Sequence, residues 1–526
     1  MNLVSKLRFG EMERDCFTGS TPIVLFQGLS VFIKNMISRN HEVLGYSIKN
    51  EGLINSKQSE FLYKGKKECI KITLEDGRII ECTKNHKLLD EKEKWIEAKD
   101  LIIKETRLKT GVIYPVVDFD NEIISCNNWE LKTVDCIFKT NTFEEYMKTL
   151  AFCRILGYII TDGSLSEKSG RIRIGHKIDV ENIIKDLSFF QTTLCPKLNS
   201  KNCYEININK YLLNIIINID GVTLGKKVEK DFTLPYFLYD DKCPTPIIRE
   251  FLGGLFGGDG HTCVLGMHRG KKDIISSIAF SKSRKYNNTI SLEKTMNDIK
   301  NFLNKRFNIL NVSIQKLKET SWSKKNFELT VDKCYQSTLL IHTKDLYIFE
   351  DKIGFRYCCH KSHRLAAGSS FHKYKKITPN NLIAEDYINS IGVLDWFDKK
   401  SYAVNRLRNS LPTMNLKVIN IEELGEKDVY DIQVEETHSF LANGVVSHNC
   451  MISHGTSKFL KERLFEKSDP YQIYVCDLCG NIATTQTECR ACDTDKITKC
   501  NFPYASKLLQ MELQAMSIKF SLKVKK

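Results

Sequence analysis

Four cysteines near the C-terminal end carry the plainest chemistry of the chain. Cys476-Asp-Leu-Cys479 and Cys489-Arg-Ala-Cys492 are two C-x2-C pairs separated by nine residues. That spacing folds four thiolates into a tetrahedron around one zinc ion, and the equal gap inside both pairs argues against four unrelated core cysteines. Four thiolates leave no open position for water, so a structural role is expected, the metal replacing a core that so short a segment cannot build. A second group, Cys358, Cys359, His360 and His363, lacks knuckle spacing and reads as packed side chains.

The elements that must position such groups follow from composition and periodicity. With 526 residues the chain exceeds one ordinary domain. With 42% apolar residues and only 10 prolines it can build real cores, which excludes bulk disorder. The longest apolar stretches, such as Tyr211 to Ile219, are too short to span a membrane, and the first residues lack the apolar run of a secretory signal. An intracellular protein without membrane partners is expected, its 19 cysteines serving as thiols, ligands or nucleophiles. Residues 70–80 alternate and turn at Asp76-Gly77 like a hairpin, and 429–434 alternate likewise. Between these β-rich flanks, Leu156–Ile160, Phe251–Phe256 and Leu292–Phe307 show helical spacing among strand-like runs at Arg171–Ile174 and Ile274–Phe280. An α/β insertion inside something β is predicted, bounded by polar, aperiodic stretches near 104–150 and 400–412. The charge is concentrated in the same place: residues 151–400 hold 39 Lys plus Arg against 26 Asp plus Glu, nearly all of the net +14. A polyanionic partner or a solvated basic surface both fit this.

The two ends read as one interrupted sentence. Leu7-Arg-Phe-Gly-Glu-Met-Glu-Arg-Asp15 joined to Cys450-Met-Ile-Ser-His-Gly455, continuing through residues 459–464, the four cysteines and residues 502–516, closely resembles the C-terminal part of the second-largest subunit of DNA-directed RNA polymerases. Ser5-Lys6 departs from the glycine pair usual there, and the rest of that subunit is absent. The interrupting 434 residues, Cys16 to Asn449, resemble an intein, a self-excising protein element. That resemblance implies that Cys16 attacks the Asp15 carbonyl in an N-to-S acyl shift. Thr83-Lys84-Asn85-His86 matches the family's T-x-x-H motif, with Thr83 orienting and His86 donating a proton. Cys450 then takes the acyl group, and Asn449 cyclises to release the segment. His448 polarises the Asn449 carbonyl, His438 assists its amide and Asp431 helps to activate the nucleophiles. No cofactor is implied for splicing.

Ile155-Leu-Gly-Tyr-Ile-Ile-Thr-Asp162-Gly163 and Leu252-Gly-Gly-Leu-Phe-Gly-Gly-Asp259-Gly260 resemble the paired LAGLIDADG motifs of homing endonucleases. Small residues let two helices pack backbone to backbone and set their C-terminal acids side by side. The resemblance implies that Asp162 and Asp259 hold Mg²⁺, which activates water against a phosphodiester, with Lys177 and Lys282 polarising water or phosphate. Double-stranded DNA would then be the partner of the basic segment.

The expected fold is a multidomain α+β chain: a β-rich, Hint-type splicing domain with an inserted α/β LAGLIDADG endonuclease, flanked by a small zinc-ribbon segment. Residues 1–15 and 450–526 are polymerase flanks, 16–125 and 412–449 the splicing domain, and 150–400 the endonuclease. The flanks are expected to join other RNA polymerase subunits on a DNA template. Two rivals are a splice-inactive DNA-binding remnant and a structural polymerase module with an inert insert.

Overall fold

The computed structural model describes residues 16–37, 40–191, 194–199, 203–268, 271–326, 332–378, 382–397, 410–449, 469–483 and 485–523. Both junction neighbours, Asp15 and Cys450, lie outside them. The chain divides into two units, Met1–Cys450 and Met451–Lys526.

The first unit begins with β1 (Phe17–Thr18) and the 23-residue β2 (Gly52–Leu74), which turns at Gly77 (φ +82°) into β3 (Ile79–Thr83). This is the hairpin that the alternation predicts: Ile70, Ile72, Leu74 and Ile80 all face inward, as period-two patterning requires. β4 (Lys87–Leu89) follows.

Residues 104–150, expected as an aperiodic boundary, are folded instead. A helix at Phe119–Ser125 is N-capped by Asp118, whose carboxylate accepts from Asn121 N–H at 3.2 Å, and a two-stranded hairpin (Glu130–Lys132 with Ile137–Lys139) comes next. Each element is too short to show a period, which is why the sequence reads as loop there. The run expected at Ile274–Phe280 also breaks. Strands Lys271–Ile275 and Ile278–Lys285 are separated where Ser276 exchanges backbone and side-chain hydrogen bonds with Val264.

Two helix-and-sheet halves make up the centre. The first is α1 (Phe143–Asp162), β5 (Gly163–Leu165), β6 (Gly170–Ile174), α2 (Lys177–Leu187), β7 (Lys197–Leu198) and β8 (Tyr204–Ile208). The second is α3 (Thr245–Asp259), β9 (Gly260–His261), β10 (Ile278–Lys285), α4 (Thr289–Phe307), β11 (Val312–Glu319) and β12 (Cys334–Ile341). Their four-stranded sheets have matching orders, β5-β6-β8-β7 and β9-β10-β12-β11. Helix α5 (Cys359–Ile377) follows.

The chain then returns in β13 (Met414–Val434), antiparallel to β2 from Val418↔Leu74 to Val434↔Gln58, and in the hairpin β14 (Ser439–Ala442) and β15 (Val445–His448). The second unit pairs β16 (Pro470–Cys476) with β17 (Ile497–Pro503) and ends in α6 (Tyr504–Ala515). Among the described residues no helix is long and apolar enough to cross a membrane.

Candidate functional site: a buried centre, an acid pair and a cysteine cluster

Cys16 enters the first centre one residue before β1. Its backbone N–H donates to the Thr83 hydroxyl at 3.2 Å, while its carbonyl accepts from Thr83 N–H at 3.0 Å. Register does this: Phe17 pairs with Cys82 on one side and with Tyr430 on the other. The Cys16 side chain packs with Cys69 and Val429. Asp431 lies two residues beyond Val429 on β13, hence on the same face, and is fully buried. One of its carboxylate oxygens accepts from Ile432 N–H at 2.8 Å.

His86 closes the turn Thr83–His86, its N–H donating to the Thr83 carbonyl at 3.0 Å. Its ring lies 4.1 Å from that of Phe17, and neither ring nitrogen has a hydrogen-bond partner among the described residues. Burial, reinforced by nearby His448, lowers its pKa to about 3. His86 is therefore neutral at ordinary pH, one nitrogen bearing hydrogen and the other open to accept.

The C-terminal end arrives on the same spot. Ser447 in β15 pairs with Leu88 in β4, two residues past His86, and Phe440, opposite Ser447, places its ring 5.7 Å from Phe17. His448 stacks edge-on against Trp95 at 4.8 Å, and its Nδ1 hydrogen-bonds the Asn449 carbonyl oxygen. A carbonyl oxygen only accepts, so Nδ1 carries the hydrogen. Asn449 is fully buried. Its N–H donates to the His438 carbonyl and its Nδ2 to the Val434 carbonyl, both at 3.1 Å. His438 itself sits at φ +50°.

The second centre lies where α1 and α3 pack. A Cβ on Gly157 would stand 2.1 Å from the Phe251 carbonyl oxygen, and one on Gly254 2.2 Å from that of Arg154. Only glycine permits this approach. Behind it, Arg154, Arg249 and Arg356 surround fully buried Glu250 at 2.8, 2.8 and 3.0 Å. Burial alone would push the Glu250 carboxyl up, but the three guanidiniums, Arg356 foremost, hold it below the usual carboxylate range. Ahead of this network, the helices end in Asp162 and Asp259. Burial and then the charge of Asp259 raise the Asp162 pKa. Asp259 forms an ion pair with Lys282. The Lys227 ammonium donates to the carbonyls of Ile159 (2.9 Å) and Thr161 (2.7 Å), and Lys361 to those of Gly257 (2.5 Å) and Gly258. Each helix C-terminus is thus capped by a lysine against its dipole.

In the second unit the sulfurs of Cys476, Cys479, Cys489 and Cys492 all lie within 4.8 Å of one another. Gly480 N–H donates to the Cys476 carbonyl at 2.9 Å and Cys492 N–H to the Cys489 carbonyl at 3.2 Å, so both pairs form tight turns. Four converging thiols suit zinc.

Residues 23–449 match the Intein splicing domain family. The chain belongs to the intein family. A second family, RNA polymerase Rpb2 domain 7, matches residues 443–525, so the intein adjoins an Rpb2-like segment. Over 81 residues the chain is 44% identical to DNA-directed RNA polymerase II subunit 2 of Arabidopsis thaliana, covering 14% of this chain and 7% of that protein. The chain thus spans a small fraction of the polymerase relatives' length. It is also 28% identical over 340 residues to the replication factor C small subunit of Methanocaldococcus jannaschii, covering 57% of this chain and 18% of that one. Among solved structures, the Ssp DnaB mini-intein variant M86 is 23% identical with a TM-score of 0.18, covering 19% of this chain and 63% of that one. The N-terminal LAGLIDADG domain of DUF199/WhiA is 13% identical with a TM-score of 0.24, covering 45% and 92%.

Within the intein, Cys16, Thr83, His86, Asp431, His438, His448 and Asn449 converge on one region, while Cys450 lies outside the described residues. Asp162, Asp259 and Lys282 converge on the other. Lys177 does not end a strand there: it is the first residue of α2, N-capped by His176, and its charge acts on Glu181. Lys227 and Lys361 were not legible as site residues, because a basic loop and a basic helix face look like solvated surface in sequence. Cys358, Cys359, His360 and His363 do not gather. Cys359 instead meets His176 and Asp179, whose carboxylate accepts its N–H at 2.9 Å, and both histidine rings pack on Trp396.

Proposed function

We propose that residues 16–449 excise themselves and join Asp15 to Cys450. The observation that carries this reading is the buried His86, wedged between the Cys16 turn and the strand leading to His448 and Asn449. Neutral His86 takes the Cys16 thiol proton and returns it to the leaving backbone nitrogen, as the sulfur bonds the Asp15 carbonyl carbon and the amide C–N bond breaks. The Cys450 thiolate then displaces Cys16 from the thioester. Asn449 Nδ2 attacks its own carbonyl carbon, polarised by His448 Nδ1–H. The 449–450 bond breaks, a succinimide forms and the Cys450 amine gains the proton. That amine finally attacks the thioester, leaving an ordinary peptide bond.

Expression of the full chain should yield a 434-residue product and a ligated 92-residue product. Asn449→Ala with Cys450→Ala should remove both, and an unchanged full-length wild-type band would sink the reading.

The insert, in the same reading, is a DNA endonuclease. Asp162 and Asp259, converging carboxylates of which the second raises the proton affinity of the first, suit a divalent cation such as Mg²⁺, which when bound supplies an activated water. The chain's own part is to set both acids at one cleft, with Lys282 beside Asp259 and a basic surround for duplex DNA. Mg²⁺-dependent cutting of DNA encoding the joined flanks should vanish in Asp162→Asn or Asp259→Asn. The residue 450–526 segment, with zinc on its four cysteines, is read as a docking part of a polymerase that works only with its other subunits on a DNA template.

A further inference from the structure

The two halves of the insert share a topology but not a set of charges. Gly163 and Gly260 each end their helix, donating N–H to the carbonyl four residues back, Ile159 in one case and Phe256 in the other. Each then opens the first strand of its sheet. Gly163 pairs with Ile172 and Gly260 with Phe280, so the two registers superimpose. Two residues on, facing the same way by the pleat, the second half has Lys282 and the first has Ile174. Lys282 is ion-paired with Asp259, and Arg284 lies within electrostatic reach of the same acid. Ile174 is 1% exposed and brings no charge. The capping lysines do not restore the balance, because they are matched: Lys227 sits on the carbonyls that end α1 and Lys361 on those that end α3. The charges of Lys361, Lys282 and Lys227 all reach Asp162, but of the two acids it is Asp259 that holds a lysine in a direct ion pair, while the matching place beside Asp162 is filled by Ile174.

We infer that the insert cuts its two DNA strands in sequence, the strand served by the Asp259–Lys282 half first. This rests on the endonuclease reading above. At each strand a water oxygen bonds phosphorus, one P–O ester bond breaks, and the leaving oxygen takes up the proton that the water gives up. Charge grows on the phosphoryl and leaving oxygens, and a buried ammonium beside the acid stabilises it. Loss of one such donor costs on the order of 10²-fold in rate, so the Ile174 half lags by a similar factor.

The test uses the full chain and a supercoiled plasmid carrying the joined-flank sequence, with Mg²⁺, alongside a linear duplex labelled on one strand at a time. Open circles should accumulate before linear product, and one labelled strand should be cut roughly 10²-fold faster. Lys282→Met should slow that strand by a similar factor and leave the other within a few-fold, with duplex binding in Ca²⁺ unchanged by gel shift. Ile174→Lys, if folded, should shorten the life of the nicked circle. Equal rates on both strands, or equal slowing of both by Lys282→Met, would overturn the inference while leaving the endonuclease reading intact. Absence of cutting on either strand by a wild-type chain that binds the duplex overturns both.

Discussion

The splicing junction and the acid pair of the insert solve opposite problems inside one unit. At the junction the working groups are buried and, in the case of His86, stripped of charge by burial. The proposed splicing would pass an acyl group between parts of the same chain, so nothing would need to enter and a dry, neutral site would suppress hydrolysis of the thioester. At the insert the helix ends carry two carboxylates, lysines on their carbonyls and an ion pair, an arrangement that suits the proposed binding of a polyanion and a cation. Desolvation is used in one place to remove charge and in the other to hold it against partners.

That contrast can be broken in three ways. The largest effect should come from His86→Ala in an Asn449→Ala background. Cleavage at the Asp15–Cys16 bond by added thiol should fall about 10²–10⁴-fold with DNA cutting untouched, and an unchanged rate would deny His86 its role.

Glu250→Gln strikes the charged side. It leaves three guanidiniums around a neutral amide, and breaking a buried network of this kind costs about 3–5 kcal/mol. Thermal unfolding of the insert should fall accordingly, whereas a loss below 1 kcal/mol would mean that the arginines find other partners.

The smallest effect is pH dependence. Burial lowers the pKa of His86, His360 and His363 from the ordinary 6.5 to about 3. Each is neutral when folded and takes up a proton when unfolded below 6.5. Their contribution is therefore complete above that pH and is lost as pH falls toward 3, by roughly 1 kcal/mol per histidine for the first unit below it. Urea unfolding at pH 7.0 and 5.5 measures this, and a stability that rises on acidification would contradict the burial of neutral rings.

Much of both sites was legible because it is written in short covalent intervals. The knuckle cysteines, the His448-Asn449-Cys450 run and the Asp-Gly helix ends each sit in a fixed local pattern. The hairpin at residues 70–80 was legible for the same reason. Lys177 misled because sequence order placed it after a strand-like run, while the register that sets Lys282 beside Asp259 sets Ile174, not Lys177, in the matching place. The helix at 119–125 was lost because seven residues show no period.

The sequence by itself determined the adjacency that the proposed splicing would use, since the order of nucleophile, amide and carbonyl along the chain is covalent. Only the tertiary structure decided the protonation of His86, the approach of Arg154 and Arg356 to Glu250, the lysine caps on the two helix ends and the inequality of the two halves. Those depend on desolvation and on approaches between residues dozens to hundreds apart in the chain, and no spacing rule encodes either.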